Sequence, residues 1–142
     1  FFTGPGQNVL GPGEIIQEII IPEPSPNTSS HYLRFIPRNE MDIAVVGVGS
    51  LITLEPGSRK CKSARISLAS VAPTPVRARA AEAILEGNEI TAELIHAAGE
   101  QAATAASPIS DVRGTVEYRL ELVKVLTRRT LGMCMESLGQ AI

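Results

Sequence analysis

What this sequence lacks closes several routes to function. Charge of one sign is not in excess: 13 basic residues face 15 acidic ones. A balance so near neutral gives no reason to expect nucleic acid or an anionic membrane as partner. No apolar run is long enough to span a bilayer, and no segment reads as a secretory leader. Cysteine occurs only at Cys61 and Cys134, without the spacing of a metal knuckle or a redox pair. Two reduced thiols in a cytoplasmic protein are the expectation, with a disulfide between them as the alternative. Histidine occurs only at His31 and His96. His96 falls inside a predicted helix and is expected at the surface or core edge, since a base needs a positioned partner. Glycine-rich nucleotide loops, zinc-protease helices, calcium loops and nucleophile elbows are all missing. Gly4-Pro5-Gly6 and Gly11-Pro12-Gly13 are poor phosphate cradles, because proline contributes no N–H. Neither a catalytic residue nor a metal site is predicted.

What is present describes one soluble domain. The chain has 142 residues, 44% hydrophobic and 20% charged, enough to bury a core without staples. Residues 1–13 are rich in Gly and Pro and read as a connector. Residues 14–22, EIIQEIIIP, begin as a turn or short helix and pass into an isoleucine run that prefers an extended backbone. Pro22, Pro24 and Pro26 then mark a surface loop. Residues 31–36 and 43–54 are predicted strands. Gly47 and Gly49 in the second suggest a bulge or a close approach. Residues 62–71 alternate apolar and polar and form its natural antiparallel partner.

The remainder is helical. Thr74, Pro75 and Gly87 bracket a predicted helix over 76–86. Thr91 caps a second helix running to about Ala106, and a third spans about Thr115 to Met135 with a broad apolar stripe. Strands over 14–71 followed by helices over 74–137 predict an α+β domain, an antiparallel sheet of three to four strands covered by helices.

Two clusters concentrate functional side chains. In residues 31–42, Tyr32 can stack on a flat heterocycle, and Arg34 can hold a ring carbonyl or developing negative charge. Arg38 and Asp42 form either a structural ion pair or part of that edge. In residues 107–119, Asp111, Arg113, Tyr118 and Arg119 read first as a helix-entry loop tied by hydrogen bonds. Six basic residues and no acid lie between Pro56 and Ala81. They are either a solvated hairpin tip with the start of a helix, or a subunit contact.

Four stretches, in order, resemble the C-terminal domain of the FAD-binding medium subunit of aerobic carbon monoxide dehydrogenases and xanthine dehydrogenase relatives. They are FFTG at 1–4 with LGPGEII at 10–16, and YLRFIPRNEMDIAVV at 32–46. The third is VAPTPVR at 71–77 with Ala81-Glu82 and Leu85-Glu86-Gly87. The last is DVRGTVEYR at 111–119 with Arg128-Arg129. The resemblance implies a molybdenum hydroxylase. In such enzymes a molybdopterin large subunit oxidises substrate, an iron–sulfur small subunit relays electrons through 2Fe–2S clusters, and FAD passes them on. It implies that Tyr32 and Arg34 approach the flavin ring, with Arg38, Asp42 and the 111–119 motif architectural. It also implies an N-terminal FAD-binding domain, whose glycine-rich diphosphate motifs this sequence lacks. The start at Phe1 fits a fragment of such a subunit, inactive in isolation. The alternative is a module that only docks the iron–sulfur subunit and makes no flavin contact itself.

Overall fold

A computed structural model describes residues 1–38 and 42–140. Asn39, Glu40 and Met41 of the aromatic and arginine cluster lie outside the described residues, as do Ala141 and Ile142. A short hairpin, β1 (Phe2–Gly4) and β2 (Gln7–Asn8), comes first. The main sheet follows: β3 (Thr28–Phe35), β4 (Val46–Leu54), β5 (Cys61–Ala69) and β6 (Val76–Arg77), fully antiparallel in the order β3-β4-β5-β6. Helices α1 (Arg79–Leu85), α2 (Ala92–Ala103) and α3 (Val116–Ser137) complete the chain. The α+β architecture read from the sequence is therefore the observed one.

Alternation along the strands decides which side is covered. Leu33, Val48 and Leu68 share one register row, and His31, Ser50 and Ile66 the next. In these rows the β4 and β5 members are buried. Against this face lies α3, across β3 and β4, while α1 lies beside β5 and α2 bridges α1 and α3. Leu85, Ile90, Val123, Leu131 and Met135 fill the layer between. Each buried side chain of this size contributes about 1.5–3 kcal/mol of hydrophobic free energy. The α3–sheet seam also carries polar bonds. Ser50 Oγ and Thr130 Oγ1 are hydrogen-bonded at 2.7 Å, and the Cys134 thiol donates to Ser50 O at 3.4 Å. Both cysteines are buried and free, so the disulfide alternative is not realised.

The helix expected over 76–86 begins later than its sequence suggests. Val76 and Arg77 pair with Leu68 and Ser67 as β6, and α1 starts at Arg79 with Ala78 as a cap that has no side-chain bond. Thr74 and Pro75 are thus not its cap and first residue. Extended pairing prevails because Ala78 N–H donates to Ile66 O and closes the sheet edge. Gly87 does end α1, at φ +79 where other residues are strained. Thr91 and Thr115 cap α2 and α3 by accepting from Leu94 N and Tyr118 N. The chain past α2 continues one further turn through i→i+3 bonds at Thr104, Ala105 and Ala106. Between β2 and β3 the isoleucine run forms neither helix nor strand.

Candidate functional site

The opposite sheet face has no helix among the described residues packed on it, and the second members of each strand point there. Tyr32 is paired with Gly49 and Arg34 with Gly47. Gly47 and Gly49 admit a close approach, of an aromatic ring. A Cβ at Gly47 would come within 2.5 Å of Tyr32 Oη, and one at Gly49 within 3.6 Å of its Cδ2. The Tyr32 ring is therefore laid flat over two glycines of β4, its hydroxyl end toward the strand position that faces Arg34. Its outer surface remains 58% exposed. No bulge occurs at these glycines; the irregularity in β4 falls at Thr53 and Leu54.

A shallow recess of about 470 Å³ adjoins the ring, lined by Ser30, Tyr32, Gly49, Leu51, Arg65 and Ser67 among others. The four strands of the main sheet contain no Asp or Glu. Arg34 and Arg65 are both exposed on this face. Arg77, at the far edge, is neutralised by Glu82, at 2.6 and 2.7 Å. The face thus carries an exposed aromatic ring and two exposed arginines, with no acid on its strands, which makes it a poor surface for a cation. The sequence singles out Tyr32 and Arg34 for the ring and Arg65 only as one of the six basic residues between Pro56 and Ala81; Ser30 and Ser67 it does not single out. A strict period of two along β3 and β5 carries them to the same side, and only the register aligns them across strands.

The other clusters are architectural. Asp42 accepts from the Arg38 backbone N–H at 3.1 Å and from its Nε at 3.4 Å. Burial acts to raise the Asp42 carboxyl, but the Arg38 guanidinium and the Ile43 N–H outweigh it and hold it below the usual range. Arg119, almost fully buried, donates to Val45 O at 2.6 Å, Ser70 O at 3.3 Å and Asp111 Oδ1 at 2.7 Å. It ties the start of α3 to both flanks of the sheet. Arg113 N–H and Arg119 hold the Asp111 carboxyl low. Tyr118 packs edge-on against Phe35 at 6.1 Å, so it is a packing residue. His96 is exposed, and His31 Nε2 meets Ser137 Oγ at 2.8 Å. The basic stretch divides: Arg59 donates to Ile90 O and Arg77 pairs with Glu82, whereas Lys62 and Arg65 are exposed. Among the described residues no group of three or more His, Cys, Asp or Glu is placed to hold a metal. No helix there is long and apolar enough to cross a membrane.

An antiparallel sheet backed on one side by three helices, with no Asp or Glu in its four strands, defines an α+β module. Residues 31–133 match the CO dehydrogenase flavoprotein C-terminal domain, and the chain belongs to that family. It is 31% identical over 124 residues to the 6-hydroxypseudooxynicotine dehydrogenase complex subunit alpha of Paenarthrobacter nicotinovorans, covering 87% of this chain and 41% of that one. With the xanthine dehydrogenase FAD-binding subunit of Escherichia coli O157:H7 it shares 26% identity over 140 residues, 98% of this chain and 47% of the other. A carbon monoxide dehydrogenase structure from Hydrogenophaga pseudoflava superposes with a TM-score of 0.76 at 29% identity, over 82% of this chain and 39% of that one. The chain therefore spans less than half the length of these relatives.

Proposed function

We propose that this chain is the C-terminal part of the FAD-binding subunit of a molybdenum hydroxylase. In this reading its open sheet face covers the flavin ring, and the domain docks the iron–sulfur subunit that delivers electrons. The observation that carries it is the Tyr32 ring, spread over Gly47 and Gly49 with one surface exposed and Arg34 beside it. The fit to the ring is chemical: Tyr32 offers a π surface, and Arg34 a fixed cation for a carbonyl edge. When bound, the flavin supplies the electron-accepting chemistry; this chain's residues orient it and tune its surroundings. The diphosphate is assigned to the rest of the subunit. The molybdopterin subunit, which selects the substrate, and the iron–sulfur subunit complete the assembly, in the cytoplasm.

The test is flavin retention after gel filtration of the full-length subunit, read from its visible spectrum. Arg34→Ala and Tyr32→Ala are each expected to weaken retention by about tenfold or more, equivalent to 1.4 kcal/mol. Unchanged retention in both variants would refute a ring contact and leave the domain as a docking module.

A further inference from the structure

The stretch between β2 and β3 is the most apolar unpartnered piece of the protein. Five of the seven residues 15–21 are isoleucine. Ile15 is 85% exposed, Ile19 80%, Ile20 77% and Ile21 86%. Single exposed isoleucines are ordinary; a run of them marks a surface that something covers.

Its pattern says what kind of cover. Isoleucine is β-branched and favours an extended backbone. Laid out as a strand, Ile15, Ile19 and Ile21 share one side with Gln17, and Ile16 and Ile20 share the other with Glu18. Both sides are mainly apolar. A strand over a single core alternates, whereas one apolar on both sides belongs in a sheet packed on both. Pro22 then stops the run, because it cannot donate to a ladder.

The segment lies outside the residues that the family model matches. The family match begins at residue 31, yet the Escherichia coli relative aligns with this chain over 140 residues. The segment is thus shared with relatives while lying outside the matched domain, and 53% of that relative, 100% less the 47% covered, has no counterpart here. We propose that residues 14–21 form a strand of that other part of the same subunit, hydrogen-bonded into its sheet and apolar on both sides. The β1–β2 hairpin, with Phe2 and Val9 exposed, packs on the same body. The boundary between the two folding units then falls in the Pro22–Pro26 stretch, and residues 1–13 are no mere connector. This rests on the reading of the chain as part of an FAD-binding subunit.

Amide hydrogen exchange on the full-length subunit, free of partner subunits, tests the proposal against the 142-residue chain. Amides 15–21 are expected to exchange at least a hundredfold more slowly in the full-length protein and near unstructured rates in the shorter one. Ile19→Lys and Ile20→Lys, on opposite sides, are each expected to abolish that protection while leaving the Tm of the 142-residue chain unchanged. Fast exchange in the full-length subunit would overturn the proposal. So would protection that appears only with the iron–sulfur subunit, or only at high concentration of the 142-residue chain. A lowered Tm of that chain would show instead that the segment packs on its own domain. Flavin retention is scored separately: protected amides without flavin keep the strand and reject the flavin contact, and flavin without protection does the reverse.

Discussion

Gly47 admits no side chain without a shift of Tyr32, since an added Cβ would lie 2.5 Å from the Tyr32 hydroxyl. Gly47→Ala is expected to cost about 1–3 kcal/mol through overpacking. It is also expected to lift the Tyr32 ring from the sheet. Urea unfolding measures the first, and tyrosine near-UV circular dichroism the second. The two thiols lie on the helix side of the sheet and behave oppositely to reactive cysteines. Burial, aided at Cys61 by the Glu86 charge, pushes both up to about 11. At pH 8 they stay protonated, so alkylation is expected to follow global unfolding, with both sites labelled together in denaturant and neither in the native protein. A native-state labelling rate well above the unfolding rate would contradict this.

At the scale of elements, α3 is fixed to the sheet by Arg119 more than by its cap. Arg119→Ala removes the buried donor to Val45 O and leaves Asp111 with Arg113 alone, at a cost of about 2–3 kcal/mol. Thr115→Ala removes only a cap bond, for about 1 kcal/mol. Thermal unfolding of the two variants should rank them in that order. The same elements show what the sequence could and could not convey. Thr91, Thr115 and Gly87 mark helix ends through short-range chemistry, and each lies where its spacing placed it. Residues 62–69 alternate, so β5 was readable as the partner of β4. Val76 and Arg77 were misassigned to a helix because their extended state depends on Leu68 and Ser67, which local propensity cannot see. Tyr32 and Arg34 stood out by residue type, but the shelf beneath the ring and the arrival of Arg65 beside it follow from cross-strand register. Arg119 reads as part of a hydrogen-bonded helix entry, and its burial emerges only from the meeting of α3 with both flanks of the sheet.

For the molecule as a whole, the described helices cover one side of the sheet and leave the other open, so its borders matter. Among the described residues, no strand pairs with the outer edge of β5 beyond the two residues of β6. Glu82 Oε1 accepts from Ile66 N at 2.8 Å, and Glu86 Oε1, one helical turn on, accepts from Ala64 N at 3.1 Å. Burial acts to raise the Glu82 carboxyl, but Arg77 and the Ile66 N–H outweigh it and hold it below its ordinary value of about 4.3. A depressed carboxyl stabilises the fold fully above that ordinary value, and the contribution fades as pH falls through the lowered one. Acid titration monitored by circular dichroism is expected to show a stability loss below about pH 4.3, and Glu82→Gln to flatten it. The Glu82 carboxylate stands in for a strand carbonyl at Ile66 N, and protonation weakens it as an acceptor. The bared ladder would then be free to recruit the same ladder from another copy, so souring the solution should seed cross-β aggregates in the wild-type protein before its helices have melted.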